Sequence, residues 1–158
     1  MNNDVLIILT AVLPIAEVRG SIPLGLYLKE PLLKVFLLSI LGNTLFIIPA
    51  LYLIQPVTER LRKFRLWSRF FDWLFERTKK KAGLIEKYEA IGLVLFVGIP
   101  LPMTGAWTGC IAASLFKIRF RYAFLSIVLG VIIAAVIVTA LCLSGILIYK
   151  NNVAHILR

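Results

Sequence analysis

The stretch LPIAEVRGSIPLG, residues 13–25, interrupts a segment that is otherwise as apolar as a membrane-spanning helix. It contains two opposite charges, Glu17 and Arg19, each of which costs about 3 kcal/mol at the centre of a helix in a bilayer. Four residues that disfavour a continuous helix surround the charges, namely Pro14, Gly20, Pro23 and Gly25. The stretch therefore predicts a broken membrane segment that carries a polar site.

The composition of the whole chain is that of a membrane protein. Of its 158 residues 60% are hydrophobic, and the mean hydropathy is +0.92, whereas soluble domains contain about 45–50% apolar residues. The length favours a single domain, residues 1–158. Cys110 and Cys142 lie in apolar runs and are expected to be reduced packing residues, so we predict no metal site and no cofactor.

The distribution of basic residues favours a membrane surface over nucleic acid. The net charge is +10, and thirteen of the 18 Lys and Arg residues lie between Arg60 and Arg121, outside the apolar runs. Basic residues beside membrane segments attract anionic headgroups and fix the orientation of the protein. We therefore expect residues 60–81 to contact the anionic leaflet, and we expect no nucleic-acid partner.

Four apolar runs are visible, and two of them are broken. Runs 35–54 and 122–149 are uncharged and long enough for the roughly 20 residues of a spanning helix. Runs 5–28 and 90–116 are interrupted near their middles, the second by GIPLPMTGAWTG, residues 98–109. Each half is about 9–12 residues, or roughly half the hydrocarbon thickness of a bilayer. We predict that each broken run is a re-entrant hairpin, with a full span as the alternative.

Specific residues are expected to break these runs and to begin the second arm of each hairpin. The expected breakers are Pro14, Gly20, Pro23, Pro100, Pro102 and Gly109. Ser21 and Thr104 are expected to cap the second arms, because Ser and Thr are good N-caps. Both arms would then point their positive ends at the middle of the membrane, where an anion can bind. Simple capping of the helix amides is an equal alternative.

The two halves of the chain repeat. FLLSILG at 36–42 and FLSIVLG at 124–130 share the frame F-L-x-x-x-L-G, and each follows a broken run. We divide the chain into a first repeat, a connector, a second repeat and a tail, at 4–55, 56–89, 90–149 and 150–158. The predicted fold is an all-α membrane protein whose second repeat is inverted, because each repeat crosses the membrane once. Inverted repeats with broken helices are typical of transporters, whose site lies where the breaks meet.

The segment that connects the repeats is basic and amphipathic. Its apolar residues recur at spacings of three and four, at Leu61, Phe64, Trp67, Phe71 and Leu74. This spacing predicts a helix that lies on the membrane surface. Ten basic residues place residues 56–90 in the cytoplasm. With hairpins both termini then lie outside, whereas four full spans would leave both termini in the cytoplasm.

The two broken motifs, PIAEVRGSIPLG and GIPLPMTGAWTG, resemble those of the small multidrug export protein family, which is similar to the DedA-like (VTT) membrane proteins. The resemblance covers nearly the whole chain. It implies paired re-entrant hairpins, a prokaryotic plasma membrane and a transport role, and DedA-like relatives are linked to proton-coupled movement of lipids such as polyprenyl phosphate. Pro100 and Thr104 match the DedA pattern, but Gly98 and Met103 stand where that pattern has arginine.

Glu17 and Arg19 are the ionisable pair inside an apolar run, and we predict that they form the site. Glu17 would carry a proton, and Arg19 would bind an anionic headgroup through its planar guanidinium. Further residues expected at the substrate are Ser21, Asn43, Thr104, Gly105 and Trp107. The alternative is a buried ion pair that only holds a hairpin tip. Because no nucleophile and base form a set, we do not expect an enzyme.

The sequence therefore predicts a proton-coupled transporter or flippase for an anionic amphiphile such as a lipid-linked phosphate. An exporter of cationic drugs, which the family name suggests, and a non-transporting membrane scaffold are the alternatives. Half-depth hairpins have little protein around their tips. We therefore expect a homo-oligomer, in which Gly130, Ala134 and Ala135 would form contacts between copies.

Overall fold

The computed structural model describes residues 2–61, 82–100 and 104–156, and all elements in these ranges are helices. In chain order they are α1 (Asn3–Val12), α2 (Glu17–Tyr27), α3 (Leu32–Leu61), α4 (Ala82–Gly98), α5 (Ala106–Leu115) and α6 (Phe120–Ile156). The prediction of an all-α protein is confirmed. Within the described ranges, each half of the chain consists of two shorter helices followed by a long one.

Two of the helices are long and apolar enough to cross a membrane. They contain the segments Leu32–Ile54 and Phe120–Ile148, with mean hydropathies of 2.1 and 2.9. These segments correspond to the two runs that the sequence predicts as spanning helices. Both helices extend beyond the apolar segments, α3 to Leu61 and α6 to Ile156. The predicted tail is therefore mostly a continuation of α6.

Each broken run consists of two short helices that pack against each other, α1 on α2 and α4 on α5. The first break comprises residues 13–16, and the second comprises residues 99–105. Helical hydrogen bonding resumes soon after Pro14, because Glu17 N–H donates to Leu13 O and Gly20 N–H donates to Ala16 O. The first break is therefore shorter than the sequence predicts.

Several expected breakers lie inside helices, so those predictions were wrong. Gly20 and Pro23 are interior residues of α2, and Gly109 is an interior residue of α5. Gly109 instead permits close packing, since a Cβ there would lie 2.6 Å from Val97 Cγ2. Pro14 and Pro100 do lie in the breaks, whereas Pro102 lies outside the described residues.

The expected caps also shift by a few residues. Helix α2 begins at Glu17 with Ala16 as its N-cap, so Ser21 lies in the second turn of the helix. Helix α5 begins at Ala106 with Gly105 as its N-cap, one residue after Thr104. The predicted capping roles of Ser21 and Thr104 were therefore wrong.

The glycines of the repeated frame make equivalent contacts in the two halves. A Cβ on Gly42 would lie 3.0 Å from Ile8 O and 3.1 Å from Ala11 Cβ of α1. A Cβ on Gly130 would lie 3.0 Å from Val94 O and 2.7 Å from Val97 Cβ of α4. In each half the long helix thus approaches the backbone of the first short helix at a glycine. A side chain at Gly130 would force the neighbouring atoms to shift, and one at Gly42 would make a tight contact.

The small residues of α6 pack within the chain. Ala134 and Ala135 are buried, and Gly130 is in close contact with α4. The expectation that these residues form contacts between copies was wrong, because helices of the same chain already cover them. Of the predicted connector helix, Leu61 ends α3, and Phe64, Trp67, Phe71 and Leu74 lie outside the described residues.

Alanine substitutions distinguish a glycine that close packing requires from glycines whose replacement only changes helix propensity. Gly130→Ala should destabilise the protein by about 1–3 kcal/mol because its Cβ overlaps Val97. Gly92→Ala and Gly145→Ala are matched controls within helices, where a Cβ meets nothing within 4 Å. Both controls should stabilise the helix by up to about 1 kcal/mol. Thermal unfolding in detergent measures the difference, and equal effects at all three glycines would contradict the close contact.

Candidate functional site

The two breaks lie against each other. The indole Nε1 of Trp107, just after the second break, donates to Val12 O, just before the first break, at 3.1 Å. The Nη2 group of Arg19 approaches Ile99 O, at the start of the second break, at 3.5 Å. The structure thus brings together two segments that are 80 to 95 residues apart in sequence.

Glu17 is buried at this junction, with 5% of its surface exposed. Its Oε1 accepts a hydrogen bond from Trp107 N–H at 3.3 Å, and the carboxylate also accepts one from the backbone of Ala106. These amides belong to the first turn of α5, where N–H groups have no partner within the helix. A carboxylate at a helix N-terminus is also favoured by the helix dipole. Glu17 therefore caps a helix in the other half of the chain.

Gly105 makes this cap possible. It is the N-cap residue of α5, but it has no side chain that could accept a hydrogen bond from the helix. A Cβ at this position would overlap the carboxylate of Glu17. Thr108 holds the Gly105 backbone in place, because its hydroxyl accepts from Gly105 N–H at 2.9 Å and donates to Gly105 O at 3.2 Å. The glycine thus leaves the capping position open for Glu17.

The backbone of Glu17 is in the left-handed region, with a φ of 48°. For a residue with a side chain this conformation costs of the order of 1–3 kcal/mol and persists only where surrounding contacts hold it. Here it lies where the chain reverses between α1 and α2. Such strained residues are concentrated at functional sites. This backbone, and not proline alone, directs the carboxylate toward α5.

Arg19 contacts residues within the second break. Its Nη2 donates to Thr104 Oγ1 at 3.1 Å, and the Thr104 hydroxyl donates to Ile99 O at 3.0 Å. Residues two apart on a regular helix point in different directions. Glu17 and Arg19 nevertheless both reach the second half of the chain. Arg19 contacts residues within the second break, and Glu17 contacts the first turn of α5, which follows the break. The two charged residues therefore join the two halves of the protein.

The aromatic residue expected at the substrate packs between two helices. Trp107 stacks on Phe46 of α3 with ring centroids 3.9 Å apart and an interplanar angle of 23°. Together with the bond to Val12 O, this stacking orients the first turn of α5 toward Glu17. Phe46 and Thr108 were not predicted, since an apolar residue and a threonine in apolar runs have no signal that distinguishes them from ordinary packing residues.

Ser21 and Asn43 are buried on different helices. Both are essentially fully buried, Ser21 on α2 and Asn43 on α3. Ser21 follows Glu17 by one helical turn, so the two residues share a face of α2. Ser39, one turn before Asn43, is also buried and was not predicted. Within the described ranges, no group of three or more His, Cys, Asp and Glu residues could hold a metal ion.

These features define a helical membrane protein with a buried, charged site where two broken segments meet. The chain belongs to the family described as "Putative small multi-drug export protein", whose sequence profile matches residues 17–137. The predicted family is confirmed, and with it a role in export or transport. No curated protein and no solved structure matches the chain. Similarity to DedA-like proteins stays a prediction.

A double-mutant cycle tests the capping contact. Gly105→Ala should destabilise the protein by roughly 1–3 kcal/mol, because the new methyl group displaces the Glu17 carboxylate. In a Glu17→Ala background the same change should cost much less, giving a coupling energy of about 0.5–3 kcal/mol. Thermal unfolding of the four proteins in detergent provides the measurement, with Gly92→Ala as the control. An equal cost of Gly105→Ala in both backgrounds would refute the contact.

Proposed function

We propose that this protein is a proton-coupled transporter or flippase that moves an anionic amphiphile, such as a lipid-linked phosphate. Its transport or export role follows from the family, whereas the proton and the anion are the proposal. One observation carries it: the Glu17 carboxylate occupies the N-terminus of α5. Helix N-termini are binding sites for anions, phosphate in particular.

An anionic headgroup and the Glu17 carboxylate would compete for the same amides. Ionised Glu17 is bonded to the N–H groups of Ala106 and Trp107. A protonated Glu17 has a weaker attraction for the positive end of the helix, so an incoming anion can replace it there. Each binding event would then take up one proton. This competition explains how a pH gradient could drive the movement of an anion.

Arg19 is placed to bind the same headgroup. Its guanidinium group lies at the second break, bonded to Thr104 Oγ1 at 3.1 Å. Guanidinium groups bind phosphate through two parallel, charge-assisted hydrogen bonds, which a lysine cannot form. We assign Glu17 as the proton carrier and Arg19, with Thr104 and the α5 amides, as the headgroup site.

The directions of the short helices support an inverted repeat of re-entrant hairpins. Helix α2 runs antiparallel to α3, because Gly25 near its end lies against Val35 near the start of α3. Helix α5 runs in the same direction as α3. Trp107, at the start of α5, stacks on Phe46, and Phe120, which begins α6 soon after α5 ends, has its ring centroid 4.9 Å from that of Tyr52, farther along α3. Helices α2 and α5 thus run in opposite directions. Alternating access in such repeats is a rocking of one repeat against the other.

An exporter of cationic drugs is the second candidate, and the family description favours it. The stacked rings of Trp107 and Phe46 beside a carboxylate would suit a lipophilic cation. Against this, Glu17 already accepts hydrogen bonds from backbone amides and has Arg19 two residues away. A cation site needs an acidic group without such partners, so we place the anion first.

Glu17→Gln and Arg19→Lys should impair transport in different ways, which can be measured with the protein in liposomes. Uptake of a fluorescent short-chain prenyl phosphate, and separately of ethidium, is measured with and without an imposed pH gradient. Glu17→Gln should abolish the effect of the gradient and leave phosphate binding largely intact. Arg19→Lys should weaken phosphate binding roughly tenfold, equivalent to about 1.4 kcal/mol. Gradient-driven uptake of ethidium alone would instead favour the cation exporter.

Substitutions that remove one charge or both test whether Glu17 and Arg19 have only a structural role. If the charges only hold the fold, Arg19→Gln should cost roughly 3–5 kcal/mol of stability, because it leaves the buried Glu17 without its opposite charge, and Glu17→Gln should cost less, because Arg19 is only half-buried. The double variant should then regain stability. Stable single variants with distinct transport defects would support the proposed site. Unstable single variants that the double variant rescues would favour a membrane scaffold.

We further propose that both termini lie outside a prokaryotic plasma membrane and that residues 56–90 lie in the cytoplasm. In a Cys110→Ala, Cys142→Ala background, Asn2→Cys should react with an impermeant maleimide added to intact cells. Ser68→Cys is the matched control in the basic connector and should react only after permeabilisation. Labelling of Asn2→Cys that requires permeabilisation would exclude the hairpins and favour four full spans.

A further inference from the structure

Buried polar side chains without hydrogen-bond partners lie between α2 and α3. Ser21, Ser39 and Asn43 are at most 1% exposed. Ser21 Oγ, Ser39 Oγ and Asn43 Nδ2 make no hydrogen bond to the protein. Unpaired buried polar groups are costly, and inside a membrane protein polar residues mark the paths of ions, protons or substrates. These three residues therefore need a ligand that can donate and accept hydrogen bonds.

The packing of Gly25 on Val35 sets the register of the two helices. A Cβ on Gly25 would lie 2.5 Å from Val35 Cγ1, so the backbones are close at this point. The two helices run in opposite directions. One turn before Gly25 on α2 is Ser21, and one turn after Val35 on α3 is Ser39, so the two serines lie beside each other. Each turn advances about 6 Å along the helix axis. A spacing of that size suits a bridging water.

One further turn places Asn43 of α3 beside Glu17 of α2. Asn43 lies between Gly42, which contacts α1, and Phe46, which stacks on Trp107 at the site. Asn43, Ser39 and Ser21 thus form a row of polar groups, here called the file, that begins at the buried carboxylate of Glu17. Arg19 is the charged side chain next to that carboxylate, and it contacts the second break.

The other end of the file lies near an ionic cluster at the surface. Lys34 Nζ is 2.6 Å from Asp4 Oδ1 and 3.0 Å from Glu30 Oε2, and Asn3 Nδ2 donates to Glu30 Oε1 at 2.9 Å. Hydrogen bonds from Asn3 and Lys34 hold the pKa of Glu30 below its usual value, so Glu30 stays ionised. Glu30 N–H donates to Gly25 O at 3.1 Å, which joins the cluster to the end of the file.

We infer that Ser21, Ser39 and Asn43 hold a water chain that carries protons between Glu17 and the ionic cluster of Asp4, Glu30 and Lys34. The inference rests on the proposed function, in which Glu17 exchanges a proton. Hydroxyl groups suit the role because each can donate and accept a hydrogen bond. The close contact of Gly25 with Val35 leaves no room for water between these two residues, so the water chain must pass beside it.

Cysteine accessibility tests whether the file contains water. In a Cys110→Ala, Cys142→Ala background, Ser39→Cys should react with a small hydrophilic methanethiosulfonate. Ile47→Cys is the matched control, because Ile47 lies on the same helix and is equally buried but apolar in its surroundings. Equal, slow reaction of both cysteines would overturn the inference, since the file would then be dry.

The rate at which Glu17 is protonated tests the path itself. After a drop in pH, infrared spectroscopy of the reconstituted protein follows the carboxylic-acid band that is lost in Glu17→Gln. In Ser21→Ala/Ser39→Ala the band should appear about tenfold more slowly, equivalent to about 1.4 kcal/mol in the barrier. Ser144→Ala, at an exposed position of α6, is the control and should leave the rate unchanged.

The outcomes separate the path from the proposed function. A normal rate in the double variant, together with a raised melting temperature, would show that the serines are dry and unpaired, and would overturn the path alone. Absence of any Glu17 band in the wild-type protein would remove the proton from the proposed function and the path with it. A slower band with unchanged melting supports both.

Discussion

The hydrogen bonds between Glu17 and the first turn of α5 are the contact on which the rest of the structure depends. A broken helix leaves backbone amides and carbonyls that cannot be satisfied by lipid. Here each break supplies the partners of the other. Glu17 accepts from Ala106 and Trp107, while the Trp107 indole donates to Val12 O. Hydrogen bonds within each broken run pair part of its backbone, and the contacts between the two halves of the chain pair further groups at the breaks.

This mutual capping requires close approach, and the glycines follow from it. Gly105 leaves space for the carboxylate, while Gly42 and Gly130 bring the long helices onto the first short helix of each half. The frame shared by 36–42 and 124–130 is therefore a packing signal, and the contacts with Ile8 and Val94 show the same geometry twice.

The sequence predicts the elements of this fold better than their ends. Uninterrupted apolar runs are sufficient to locate the spanning helices, and Pro14 and Pro100 correctly mark the breaks. Pro23 was misread because its intrinsic penalty as a helix breaker is offset by tertiary packing around α2. The partners of Glu17 could not be predicted, since backbone amides have no sequence signature and the capping residue comes from the other half. The left-handed backbone of Glu17 is likewise invisible in a sequence.

The geometry of Glu17 also constrains what can exchange with it. Its carboxylate is enclosed by Gly105 and by the amides of α5, so a bulky cation would have to break those hydrogen bonds to reach it. A proton needs no such space and removes the negative charge that the amides stabilise. Under the proposed function, the same α5 amides then become available to an anion while Arg19 supplies a positive charge. A buried carboxylate that caps a helix is thus better suited to couple protons to an anion than to hold a cation.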